Sequence, residues 1–148
     1  MLHIAQSPDS GATLVLGEWL PKHDRQLSDI AERLMDQEGI EPDLRPTGLY
    51  VIPARAAFCQ SWSAFAELYN GSIHLCSSVA RALADPAATD ERDWSLRDRA
   101  PAVLLHECCH VLLAKSPPLP VPARLLRVAP HFGAGWHDPL FAAIAATM

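Results

Sequence analysis

Residues 102–114 form an apolar run interrupted only by His106, Glu107 and His110. An apolar stretch this long and this evenly spread suits a helix packed on most of its sides, where three polar side chains have no bulk water to bond. They need partners inside the fold. Spacing indicates which kind: His106 and His110, four apart, project from one helix face, where both imidazoles can bind a single Zn²⁺. Glu107 between them stands where it can reach a water on that metal, so His106-Glu107-Cys108-Cys109-His110 matches the His-Glu-x-x-His pattern.

The rest of the composition limits what can surround such a helix. With 148 residues, 49% hydrophobic and 20% charged, the chain is read as one globular domain, 1–148, long enough to bury a core. A formal net charge of -5 and only two lysines, Lys22 and Lys115, argue against autonomous nucleic-acid binding, which needs clustered cations. No apolar run reaches the length of a membrane span, and Met1-Leu2-His3-Ile4 has neither a basic leader nor a continuous apolar core. A cytoplasmic protein is expected. Cys59, Cys76, Cys108 and Cys109 include no Cys-x-x-Cys pair and are expected to be free thiols, the last two filling helix-packing positions.

Periodicity places the other elements. Residues 12–16 could form a short strand after a turn-rich opening. Leu27, Ile30, Ala31, Leu34 and Met35 follow helical spacing and predict an amphipathic helix over residues 24–38, stopped by Gly39. Residues 48–52 read as a buried strand ended by Pro53. Asn70-Gly71 between residues 64–69 and 72–76 is a hairpin signal. In the second hairpin strand Ile73 and Leu75 share one face, and His74 is expected on the other, exposed to solvent. A short helix is predicted from Ser77 or Ser78 to Ala84, a surface loop over residues 87–95, and Asp98 as cap of the motif helix with Pro101 in its first turn.

A catalytic zinc takes three protein ligands and keeps one position for water. No Glu follows Glu107, which excludes a downstream Glu as the third ligand, and Leu113 and Ser116 stand where the longer pattern ending in Gly and His would need those residues. The downstream candidates are His131, His137 and Asp138. His137 is preferred because it follows Gly133-Ala134-Gly135 and precedes a helix start at Asp138-Pro139, where its backbone is anchored. Asp138 reads first as that helix's cap. An extra donor to the developing oxyanion is expected from His131, with Tyr50 and Tyr69 as alternatives.

The order of a strand, a hairpin ending in Gly71-Ser72-Ile73-His74-Leu75, a short helix, Val103-Leu104-Leu105 before the motif, and then His137-Asp138-Pro139-Leu140-Phe141 resembles the SprT-like zincin metallopeptidases, the family of the Spartan-type proteases. In that family a downstream His, followed by a short spacer and Phe, supplies the third zinc ligand. The resemblance covers roughly residues 48–148. It implies a small α+β zincin-like fold: a mixed sheet with an edge-strand hairpin packed on the motif helix. It also implies that the strand Ser72–Cys76 is the edge to which an extended protein or peptide substrate adds.

The function expected on these grounds is a zinc-dependent metallopeptidase. His106, His110 and His137 hold Zn²⁺, which lowers the pKa of a bound water to about 7, and Glu107 takes that water's proton. The alternative expectation is a non-catalytic zincin-like module that binds metal for regulation or interaction. Substrate, cleavage preference, latency and oligomeric state are not encoded in any motif of the chain.

Overall fold

In a computed structural model of the chain the described residues are 2–8, 10–15, 17–88 and 94–115. They form a small α+β domain with a mixed four-stranded sheet and three helices. The elements are β1 (His3–Gln6), α1 (Pro21–Gln37), β2 (Gly48–Ile52), β3 (Ala64–Glu67), β4 (Ser72–Cys76), α2 (Ser77–Ala84) and α3 (Trp94–Lys115), with short 3-10 turns at Pro42–Leu44, Ala57–Gln60 and Pro86–Ala88.

Helix α1 begins three residues before the predicted start because Pro21 occupies its first position, where the missing N–H costs nothing and φ is already helical. Its cap is built from the third residue. The Leu20 N–H donates to His23 Nδ1 at 2.9 Å, and the His23 N–H donates to the Leu20 carbonyl at 2.9 Å. Leu27, Ala31 and Met35 repeat every four residues and are fully buried. At the other end Gly39 takes φ +69°, while the Gly39 and Ile40 N–H groups donate to the Asp36 and Met35 carbonyls.

His23 makes this cap sensitive to pH. Its Nδ1 accepts a bond only while unprotonated, and Nε2 is buried without a hydrogen-bond partner. Burial lowers its pKa from the usual 6.5, helped by the charges of Arg81 and Lys22 and opposed by those of Asp85 and Asp24. A folded pKa below the unfolded one means that the unfolded chain binds the proton more readily. Stability is therefore complete above about pH 6.5 and falls as pH drops towards the folded pKa, by at most about 1.4 kcal/mol per pH unit. Urea unfolding at pH 7.5 and 5.5 checks this, and His23→Gln, which keeps an acceptor for Leu20, is expected to shrink the difference. An undiminished difference in that variant removes His23 as its source.

The strand order is β1-β2-β4-β3, with β1, β2 and β4 parallel and β3 antiparallel to β4. Strand β1, helix α1 and β2 make a parallel crossover unit. The predicted hairpin is present, and Gly71 at φ +73° closes it. Its two strands have unequal neighbours. Strand β4 lies between β2 and β3 and bonds to both, so Ser72–Cys76 is an interior strand and the expectation of an edge there is corrected: among the described residues the outer strand on this side is β3. The strand expected over residues 12–16 is replaced by β1, and residues 12–15 carry no strand.

All three helices pack on one face of the sheet. Leu27, Ala31 and Met35 of α1, Val79 and Leu83 of α2, and Leu104, Cys108 and Val111 of α3 share a cluster with Leu49, Val51, Ile73 and Leu75. Alternation along β2 and β4 follows from the pleat. Helix α3 starts at Trp94 rather than beyond Asp98, so Pro101 sits inside it, about two turns from its start. Among the described residues no helix is long and apolar enough to cross a membrane.

Among the described residues no helix packs on the opposite face. Ile52, Ala56 and Cys76 are buried there, with Ala12, Phe58, Cys59 and Phe65 packed against them. Cys59 and Cys76 form a disulfide, which overturns the expectation of four free thiols; Cys108 and Cys109 are buried and in no disulfide. His74, expected in solvent, is only 2% exposed, since the residues after β1 fold over it.

Candidate metal centre

The motif lies in the second half of α3, where 3.6 residues per turn put positions 106 and 110 one above the other. Their rings meet edge to face, with centroids 5.0 Å apart and the two Nε2 atoms separated by 3.3 Å. That distance bears on metal binding. Two Zn–N bonds of about 2.05 Å meeting at the tetrahedral angle place their nitrogens about 3.3 Å apart, so the pair is already spaced as two ligands of one ion. His106 is exposed and His110 buried, which gives the pair a solvent side and a core side.

Glu107, roughly 60–100° round the helix from the two histidines, meets β3 and is 8% exposed. Burial pushes its carboxyl up to about 7, and a hydrogen bond from the Ala66 N–H pulls in the opposite direction. The strand register explains why that N–H is available. The Cys76 N–H donates to the Ser63 carbonyl, so Ser63 and Cys76 are a hydrogen-bonded pair, and alternation makes Phe65–His74 and Glu67–Ser72 the next ones. Ala64 and Ala66 therefore turn their N–H and C=O groups away from β4, to the outer edge of the described sheet. Glu107 is held at that edge by one of them.

Burial pushes the Cys108 thiol up to about 12 and the Cys109 thiol up to about 11. Both stay protonated at neutral pH, the wrong form for a nucleophile. The packing role expected for them agrees with this: Cys108 belongs to the main core cluster.

Among the described residues no group of three His, Cys, Asp or Glu side chains gathers around one point. His131, His137 and Asp138, from which the third ligand and the oxyanion donor were expected, lie outside the described residues. The two tyrosines considered as oxyanion donors are elsewhere: Tyr69 is 98% exposed in the hairpin turn, and Tyr50 stacks on His74 on the face away from α3. What sequence reasoning missed is the edge of β3. A hairpin sequence carries no sign of which of its strands will gain a further neighbour.

Compared with models of known protein families, with curated proteins and with solved structures, the chain matches none.

Proposed function

We propose that the chain is a zinc-dependent metallopeptidase with a zincin-like arrangement of helix and edge strand. The observation that carries this reading is the 3.3 Å separation of the His106 and His110 Nε2 atoms, with the buried Glu107 one residue along the helix. His106 and His110 would hold the ion, and His137 is the residue proposed to complete the set. When bound, zinc supplies Lewis-acid polarisation of a substrate carbonyl and acidifies a water.

The chain's own residues do the rest. Glu107, raised towards neutrality by burial, accepts the proton of the attacking water and returns it to the leaving amine. Strand β3 orients an extended peptide by strand addition. Because the Ala66 N–H is engaged by Glu107, the peptide pairs with the Ala66 carbonyl and with both backbone groups of Ala64. A substrate bound there lies along the edge on which the general base is fixed. Pairing at Ser72–Cys76, the strand first expected to do this, has no open edge to use. A cytoplasmic location, expected from the sequence, sits poorly with the Cys59–Cys76 disulfide, which reducing compartments open.

Metal analysis and a casein cleavage assay test the proposal together. One zinc per chain is expected, lost in His110→Ala, with cleavage abolished by a chelator and restored by zinc. A chain that takes up no zinc, or cleavage that survives chelation, overturns it.

A further inference from the structure

On the sheet face away from α3, a second group of chemically active side chains surrounds His74. Its ring lies between those of Tyr50, 4.9 Å away and tilted by 21°, and Phe65, 4.3 Å away and tilted by 12°. The register that pairs Tyr50 and Phe65 with His74 from the two neighbouring strands produces this stack. Ser7 Oγ is 2.7 Å from His74 Nδ1, and Ser72 Oγ is 3.2 Å from His74 Nε2.

The proton positions in this group follow from its far end. Asn70 Oδ1 lies 3.0 Å from the Ser72 N–H, which can only donate, so the amide presents its oxygen there. The Ser72 hydroxyl, 2.7 Å from the same oxygen, therefore donates to it. That leaves the Ser72 oxygen to accept from His74 Nε2–H. In the neutral imidazole His74 Nδ1 is then the unprotonated nitrogen, and Ser7 donates its hydroxyl proton to it. This is the orientation in which a histidine acts as base towards a serine.

Ser7, 2% exposed, lies at the wall of a cavity. A shallow cavity of about 300 Å³ is lined, among the described residues, by residues 6–8 and 10–13. The backbone of Ser7 is fixed because its N–H donates to the Val51 carbonyl at 2.9 Å, and the cavity wall is tied by Gln6 Nε2 and Ser10 Oγ, each 2.7 Å from the Ala12 carbonyl. The two flanking aromatic faces favour the imidazolium that forms when His74 takes a proton.

We infer that Ser7, His74, Ser72 and Asn70 constitute a second reactive site, in which Ser7 is an acyl-accepting nucleophile for small esters. Ser7 Oγ attacks the ester carbonyl as its proton passes to His74 Nδ1. The bond from the acyl carbon to the alcohol oxygen breaks, and the alcohol leaves with that proton, so that Ser7 is acylated. Water then attacks the acyl carbon and gives a proton to His74, the bond to Ser7 Oγ breaks, and Ser7 recovers its hydrogen from His74 as the acid departs. Ser7 and His74 touch the reacting atoms; Ser72 and Asn70 are positioning residues that hold the tautomer. The site is independent of zinc, being on the other face of the sheet from His106 and His110.

The test is labelling of the full chain, stripped of metal by a chelator, with a short-chain alkyl fluorophosphonate. One adduct per chain is expected, mapped to Ser7 by mass spectrometry and formed about 10²-fold faster than on a free serine amide. Ser72→Ala is expected to slow it about tenfold at an unchanged melting temperature, and Ser72→Thr, which keeps the hydroxyl, to restore the rate. No adduct, an adduct on another residue, or a rate equal to that of free serine overturns the inference. So does a Ser7 adduct that forms as fast in Ser72→Ala as in the parent. If Ser72→Ala does not fold, the position and rate of labelling in the parent decide.

Discussion

Replacing Glu107 by Gln is expected to lower casein or peptide turnover by roughly 10²–10⁴-fold while zinc content stays at the parent level. The substitution is close to isosteric, and the Gln carbonyl oxygen can still accept the Ala66 N–H that now bonds the carboxyl. Packing around a residue only 8% exposed is therefore kept. What disappears is the basic lone pair able to take a proton and give it back. If the carboxyl served only to hold α3 against β3, a neutral amide would do so equally well, and burial favours the neutral group. A Glu107→Gln chain that cleaves at the parent rate would eliminate Glu107 as the general base, whatever the metal content.

Opening the Cys59–Cys76 disulfide is expected to cost about 3 kcal/mol, since it closes a loop with a sequence separation of 17. For a chain of this size that corresponds to a fall of roughly 6–12 °C in melting temperature. The reason to expect the full loss is where the bond lies. Among the described residues three helices cover one face of the sheet, whereas the other is closed by Ile52, Ala56 and Cys76 with a few partly buried neighbours. The disulfide ties the 3-10 turn Ala57–Gln60 to the end of β4 and so holds that thin layer in place. Thermal melts with and without a thiol reductant, and of Cys59→Ser, measure the effect. Coincident melts in all three would mean that the layer packs without the link.

Local signals in the chain were reliable wherever one element's own residues settle its state. The stripe Leu27, Ala31 and Met35, the stop at Gly39 and the Asn70-Gly71 turn each encode a helix or hairpin through spacing or through backbone freedom at a single residue. Start positions were less legible. The Asp98 cap gave way to a helix already begun at Trp94, despite Pro101 within it, because packing on the sheet outweighs a local capping preference. Strand β1, only four residues long, has no pattern of its own and exists through its ladder with β2.

Within the candidate metal centre the sequence was explicit about His106, Glu107 and His110, since a helical period alone puts two imidazoles on one face. The same residues could not announce the 3.3 Å approach of their ring nitrogens or the Ala66 N–H that receives Glu107. The burial of His74 was equally hidden: alternation correctly placed it opposite Ile73 and Leu75, but only the segment after β1 folding over that face keeps water away. Cysteine spacing offered no hint of the Cys59–Cys76 bond, because the pairing depends on where β4 ends in space.

Sequence by itself determined the helix stripe, the hairpin and the His-Glu-x-x-His face, all of which arise from backbone periods shorter than five residues. Tertiary structure alone decided that β4 is interior, that β3 is the outer strand of the described sheet beside Glu107, and that Ser7 meets His74 across 67 positions of chain. Sheet order and long-range side-chain pairs depend on which surfaces are buried together, and no local period carries that information.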